Sequence, residues 1–283
     1  MIMKKVLKHK LLLIFMFLLV ILTFWTICSN SCIEVNHYSI SGARIPSNFD
    51  GFRIAQISDL HNEEFGDHNA ELLSLLRDSD PDIIVITGDL IDCRKTDYGV
   101  AIRFCKEAVK IAPTYYITGN HESRVSELSL LTETLEYWGV TYLANDAATI
   151  TIDGQSIHII GMTDPNFGSI FHHTSFEEVL QGLLPEDDTY TVLLSHRPEL
   201  FETYVSYNID LAFSGHAHGG QFRMPLIGGL YAPDQGLFPE YDGGIYTKDR
   251  TTMVVSRGLG NSIFPFRFNN PPELIIVELN NVK

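Results

Sequence analysis

The chain has 283 residues, 45% hydrophobic and 11% aromatic, enough for one domain with a sizeable core and not the profile of a disordered or repetitive polypeptide. Its 35 acidic against 20 basic residues leave a net charge of −15. Such a chain should repel nucleic acid and anionic lipid surfaces unless a local positive centre intervenes, so no nucleic-acid partner is expected.

Lys4, Lys5, Lys8 and Lys10 precede Leu11 to Cys28, a stretch without charge. That length sits at the lower end for a transmembrane helix, which needs roughly 17–25 apolar residues. The stretch ends in Phe24-Trp25-Thr26-Ile27, with no Ala-x-Ala pattern of a cleaved signal peptide. The expected division is a cytoplasmic basic N-terminus (1–10), a transmembrane anchor (11–28), a juxtamembrane connector (29–49) and a folded domain (50–283). Positive-inside bias puts this single-pass protein in the cell membrane with residues 33–283 extracytoplasmic. Without the four N-terminal lysines, 16 basic residues face 35 acidic ones, a balance of −19.

Past the connector, which should begin with a strand, the strand FRIAQIS (52–58) leads to a helix around 69–77. A strand at 82–87 leads to a helix near 98–111. A strand at 114–118 leads to a helix near 126–137, with Ser126 as its candidate N-cap. The alternation predicts a parallel sheet with crossover helices. The second half is richer in strands: 149–152, 157–161, 191–194, 210–213, 252–256 and 273–279, with an Asp153-Gly154 turn marking a hairpin. The expected fold is α/β: a four-layer α-β-β-α sandwich of two mixed sheets flanked by helices, plus one N-terminal transmembrane helix. Of the cysteines, Cys93 and Cys105 are close enough in sequence for a disulfide outside the cytoplasm, or are simply small buried residues. No Cys-x-x-Cys suggests structural zinc.

Five polar segments follow these apolar runs: Asp59-Leu60-His61, Gly88-Asp89, Gly119-Asn120-His121-Glu122, Ser195-His196 and Gly215-His216-Ala217-His218. In a shared sheet they would meet at its carboxyl edge, where open α/β sheets place ligands. If the strands continue, Asp59 and His61 point the same way at i and i+2, as do His216 and His218. Asp89 has two oxygens with which to bridge two ions. Nitrogen and oxygen donors without thiolates suit two divalent ions of Mn, Fe or Zn. Asp92 is placed to orient His121 or another imidazole. Each segment alone is most simply a solvated strand end or turn; the five together in this order are not.

D-x-H, G-D, G-N-H-E, a lone H and G-H-x-H in this order resemble the signature of the calcineurin-like metallophosphoesterase superfamily. The stretches SHRPELF, SGHAHGGQ, VSRGLGNS and PFRFNNPPEL are similar to its membrane-anchored bacterial phosphoesterases, which include UDP-2,3-diacylglucosamine pyrophosphohydrolases. The resemblance covers about residues 50–280. It implies one ion on Asp59, His61, Asp89 and His218, a second on Asp89, Asn120, His196 and His216, and His121 as donor of a proton to the leaving oxygen. Two such ions acidify a shared water and clamp a phosphoryl group for in-line attack. Two divalent cations against the charges of Asp59 and Asp89 would leave a positive pocket in an acidic domain.

The expected function is hydrolysis of a phosphodiester or pyrophosphate bond by a dimetal-bound hydroxide, on a phosphate-ester substrate that is lipid-linked or derived from the envelope. The alternatives are a phosphomonoesterase or phosphoprotein phosphatase on the same metals, and a non-catalytic binding module of the same fold. Arg124, Arg257 and Arg267 are candidates for substrate contacts, or else tie loops to carbonyls. The loop 224–246 is read as lining a substrate or membrane-facing groove. His37, His68, His158, His172 and His173 fall outside the pattern and are expected to be structural or on the surface.

Overall fold

Continuous apolar runs such as Ile83-Ile84-Val85-Ile86 make strands that are buried on both faces. In the computed structural model, which describes residues 2–168, 171, 174–262 and 264–282, this requirement builds two sheets packed face to face. Helix α1 (Ile2–Ser31) is followed by β1 (Glu34–Gly42), β2 (Phe52–Ile57), α2 (Ala70–Asp78), β3 (Ile83–Thr87), α3 (Tyr98–Ala108), β4 (Thr114–Ile117), α4 (Leu128–Tyr137) and β5 (Thr141–Tyr142). Then come β6 (Asp146–Ile152), β7 (Gln155–Gly161), α5 (Phe176–Leu183), β8 (Tyr190–Leu194), α6 (Phe201–Ser206) and β9 (Leu211–Ser214). Two short ribbons follow, β10 (Arg223–Met224) with β11 (Gly228–Gly229) and β12 (Tyr231–Ala232) with β13 (Gly236–Leu237). The chain finishes through β14 (Gly244–Lys248), β15 (Thr251–Val255) and β16 (Glu273–Asn281).

The first six-stranded sheet has the order β1-β16-β2-β3-β4-β5 and the second β14-β15-β9-β8-β7-β6. Both are mixed: β2 to β5 run parallel while β16 is antiparallel to β2, and β7, β8, β9 and β15 run parallel between antiparallel edges. Period-two alternation assigns the faces. Ile83 and Val85 of β3 join Val192, Leu194, Leu211 and Phe213 in the core between the sheets. Ile84 and Ile86 pack instead with α2, α3 and α4, and Leu193 and Ala212 with α5 and α6. The expected α-β-β-α sandwich is therefore the observed one.

Some local details match expectation and others depart from it. The connector supplies the expected strand, β1, which pairs in parallel with β16 over its whole length. Helix α4 starts at Leu128 after Glu127 with no side-chain cap, so Ser126 does not cap it. Asp153 and Gly154 both have positive φ, 46° and 82°, as a two-residue type I′ hairpin requires. Helix α5 was not expected; Ser175 and Glu178 close a capping box at its start. Cys93 and Cys105 are free thiols, Cys105 fully buried in the helical core. His158 is a structural residue, near Thr149 Oγ1 (3.2 Å) and the Leu183 carbonyl (3.1 Å). His172 and His173 lie outside the described residues.

The segment Val6–Ser31 of α1 is long and apolar enough to cross a membrane. Its last turn meets the domain: Asn30 Nδ2 donates to the Arg267 carbonyl (2.9 Å), and the Arg267 amide donates to Asn30 Oδ1 (2.6 Å).

Candidate dimetal site

The loops that leave the carboxyl ends of β2, β3, β4, β8 and β9 converge on one cluster. Asp59, His61, Asp89, Asn120, His196, His216 and His218 are each at most 6% exposed. Five of them, Asp59, His61, Asp89, His216 and His218, hold left-handed backbone, with φ between 48° and 66°. Side chains other than glycine rarely adopt that region, and it persists where the surroundings over-determine it. The strand alternation expected for the two i, i+2 pairs is corrected here. Strands β2 and β9 end at Ile57 and Ser214, and left-handed turns, not the pleat, bring each pair together. The motif glycines answer to the same crowding. A Cβ on Gly119 would lie 2.3 Å from Asp89 Oδ1, and one on Gly88 would lie 2.6 Å from the Gly119 amide nitrogen.

Ligand atoms of Asp59, His61, Asp89 and His218 lie within 4.8 Å of one another, and so do those of Asp89, His196 and His216. Asp89 belongs to both groups. His196 Nε2 is 3.3 Å and His61 Nε2 is 3.6 Å from Asp89 Oδ2, and His218 Nε2 is 3.4 Å from Asp59 Oδ1.

The donor set fits a pair of cations. Asn120 Oδ1 and His196 Nε2 are buried without a hydrogen-bond partner among the described residues. His61 Nε2 and His218 Nε2 face each other at 3.2 Å. Burial pushes His61 down to about 4 and His218 down to about 3, so both are neutral electron-pair donors. Burial works the same way on His196, but Asp89 and Asp59 outweigh it and push that imidazole up to about 10. Burial also opposes the charge of Asp89, and the imidazoles of His196, His61 and His121 hold it well below the usual carboxylate range. Negative charge thus sits where a cation would be held.

Surrounding groups fix the orientation of these donors. His196 Nδ1 donates to the Thr87 carbonyl at 2.7 Å, which leaves Nε2 facing Asp89. His216 Nε2 is 2.9 Å from Asp234 Oδ2 and 3.0 Å from a terminal nitrogen of Arg197; as a donor to Asp234 it would leave Nδ1 for an ion. Asp234 also meets Arg197, which grips Asp164 through Nε (2.6 Å) and a terminal nitrogen (2.9 Å). Glu122 accepts four backbone N–H groups, from Asp89, Leu90, Ile91 and Gly119, at 2.8–3.3 Å. Burial and Asp89 push Glu122 up to about 8 against the pull of those amides.

His121 lines the same cleft, about 460 Å³, with Arg94, Arg124, Asp234 and Ser262. The Cys93 amide donates to His121 Nδ1 at 3.1 Å, so the ring proton is on Nε2, which lies 3.9 Å from Asp89 Oδ2. Asp92 stands 3.5 Å from His121 Nδ1, but its carboxylate binds Arg94 through Nε (3.1 Å) and a terminal nitrogen (2.7 Å). It therefore orients Arg94 directly, while a backbone amide sets the His121 tautomer.

Of the three arginines expected near substrate, Arg124 is exposed at the cleft. Arg257 pairs with Glu34 (2.8 Å) and Glu273 (3.1 Å). Arg267 is fully buried and donates to the carbonyls of Arg257 and Gly260, behind the loop that receives Asp59. Sequence reasoning assigned no role to Glu122, Arg94, Arg197 or Asp234. Glu122 and Arg197 adjoin ligand-bearing motifs in buried segments, the signal that would have marked them.

A family model described as Calcineurin-like phosphoesterase matches residues 52–220. The chain is 31% identical over 255 residues, 88% of its length and 86% of the other, to the uncharacterized metallophosphoesterase YkuE of Bacillus subtilis (strain 168). It is 29% identical to the phosphodiesterase YaeI of Escherichia coli (strain K12), over 81% of this chain and 82% of that one. It is 28% identical to a Bos taurus transmembrane protein with metallophosphoesterase domain, over 82% of this chain and 53% of the relative.

Proposed function

This chain belongs to the calcineurin-like phosphoesterase family, and we propose on that premise that it hydrolyses a phosphodiester or pyrophosphate bond of a lipid-linked or envelope substrate. One observation carries the reading: two overlapping ligand groups share the Asp89 carboxylate. Asp59, His61, Asp89 and His218 would hold one divalent ion, and Asp89, Asn120, His196 and His216 the other, Mn, Fe or Zn being suited to such donors. Ions so held supply Lewis acidity, an acidified water and charge to offset that of a phosphoryl group.

The side chains around them perform the remaining tasks. His121 faces the cleft through Nε2; as an imidazolium, with Nδ1–H towards the Asp92 carboxylate at 3.5 Å, it would pass the Nε2 proton to the departing oxygen and remain a neutral ring. Arg94, held by Asp92, and Arg124 face the cleft and receive phosphoryl oxygens. Asp234 keeps His216 in the tautomer that presents Nδ1. The proposed organisation is an anchor near 11–28 between a cytoplasmic 1–10 and a connector at 29–49, with the catalytic domain (50–283) extracytoplasmic. Four lysines before the span and the apolar helix Val6–Ser31 support it. The phosphodiesterase name of the E. coli relative supports the choice of diester.

The test uses the full chain in detergent, loaded in turn with Mn, Fe and Zn, on bis-p-nitrophenyl phosphate and p-nitrophenyl phosphate. The diester should turn over with a higher kcat/KM. Preference for the monoester would transfer the site to the phosphomonoesterase reading. No turnover of either with any metal would remove both.

A further inference from the structure

Beside the metal cleft lies a groove of about 430 Å³ lined by Gln221, Phe222, Leu230, Tyr231, Leu237 and Phe264. Gln221, Tyr231 and Phe264 also border a small recess whose other walls, His218, Pro233 and Ser262, include cleft residues. An apolar path therefore runs from the surface to a metal ligand. Around its mouth Leu226, Ile227, Leu237, Phe238, Phe264 and Phe266 are all exposed. Leu226 and Ile227 form the tip of the β10–β11 ribbon. Phe222 packs edge-on against Phe264 and Phe266, and Gln221 Nε2 donates to both of their carbonyls, so the apolar rim is built, not loose. Soluble surfaces rarely leave such patches uncovered.

What covers the rim follows from the chain itself. The apolar helix ends at Ser31, and Asn30 is hydrogen-bonded at both ends of its amide to Arg267, the residue after Phe266. Phe264 is three residues from that junction, no more than about 10 Å along the chain. The polar layer outside a bilayer's hydrocarbon is about 5–7 Å deep on each side. If α1 spans the membrane, the 264–266 loop is held at its surface. Phe24 and Trp25 of the helix share a second cleft with Arg257, Asn269 and Pro271, which fixes the same side of the domain against the anchor.

We propose that this groove binds an acyl chain of a membrane lipid, with the rim seated in the leaflet at which α1 emerges. The phosphoryl group of the same molecule then reaches the His218 and His121 end of the path while its tail stays in the groove. The part concerning the phosphoryl group rests on the phosphoesterase reading above; the lipid site itself does not.

The experiment reconstitutes the full chain in phosphatidylcholine liposomes containing a trace of phosphatidylcholine with a diazirine on its acyl chain, with chelator present so that hydrolysis plays no part. Illumination should label peptides from 221–238 and 264–266 as well as the anchor. Leu237→Glu should cut that labelling at least fivefold, and Leu130→Glu, an exposed leucine on α4, should leave it unchanged. Label confined to residues 6–31, or indifference to Leu237→Glu, would overturn the proposal. With metal restored, alkyl p-nitrophenyl phosphodiesters from methyl to octyl, kept as monomers, should gain up to about fourfold in kcat/KM per methylene seated in the groove. A flat series with good turnover of the methyl ester would remove the groove from substrate binding. Groove labelling without turnover of any ester would uphold the lipid site and fail the phosphoesterase reading alone.

Discussion

The two sheets make unequal contributions to one site. Loops of the first carry both ligand carboxylates, the amide of Asn120 and one imidazole, whereas loops of the second carry His196, His216 and His218 and no ligand charge. The seam between them is joined by site residues: His196 Nδ1 donates to the Thr87 carbonyl, the His216 amide to Asp59 (3.1 Å), and Gln56 Nε2 to the Ser214 carbonyl (2.9 Å). On the proposed assignment, the first sheet would supply the charge that attracts cations and the second would complete the donor set. Neither half has a site alone, so cation binding and the docking of the sheets should reinforce each other.

The severest break is at the shared residue. Asp89→Asn removes half of the ligand charge and the only side chain common to both groups, so metal content of the purified chain should fall towards zero and turnover to background. Loss of one ion only would mean that Asp89 does not bridge. A smaller break leaves both halves loaded: His121→Ala should keep the metals and lose about 10²–10⁴ in rate, the range for one acid–base group. The loss should shrink with p-nitrophenolate as leaving group, which needs no proton, compared with an alkoxide. Equal losses would rule out His121 as the proton donor.

Next is a change confined to the second half. Asp234→Asn replaces the acceptor that holds His216, and such outer partners typically change metal affinity by about 10–100-fold. Titration of the apo chain should then show one ion bound as in the parent and the other weakened. Equal weakening of both would mean that the halves are not separable.

How far this was legible in the sequence depends on where each partner lies. The cluster was legible because each of its members follows its own apolar strand, and a strand's end is a local fact. The route by which Asp59 and His61 converge was not, since alternation describes a pleat and their backbone has already left it. Arg197 adjoins the ligand His196, but its partners Asp164 and Asp234 are 33 and 37 residues away in opposite directions. Their meeting depends on loops that no periodicity encodes. Glu122 likewise acts on amides about thirty residues earlier, a role invisible until β3 and β4 are paired. The lone arginines were legible only as a choice. Arg257 and Arg267 could be read as substrate contacts or as loop ties, and the fold uses them to tie β1, β16 and the 257–260 loop together.

Arg124 therefore sets the lower limit of the comparison. Both Arg94 and Arg124 are exposed at the cleft, but Asp92 grips Arg94 through two nitrogens, whereas Arg124 projects at the mouth, where its attraction for a phosphate is weakened by solvent. Exposed ion pairs contribute about 0.2–1 kcal/mol, which makes the expected effect of Arg124→Ala a rise in KM of up to about fivefold with kcat little changed. That rise should vanish near 1 M salt, where screening acts within about 3 Å. A fall in kcat of a hundredfold, insensitive to salt, would instead put Arg124 against the reacting phosphoryl group. The positive end of the site would then extend beyond the two sheets to the turn after β4.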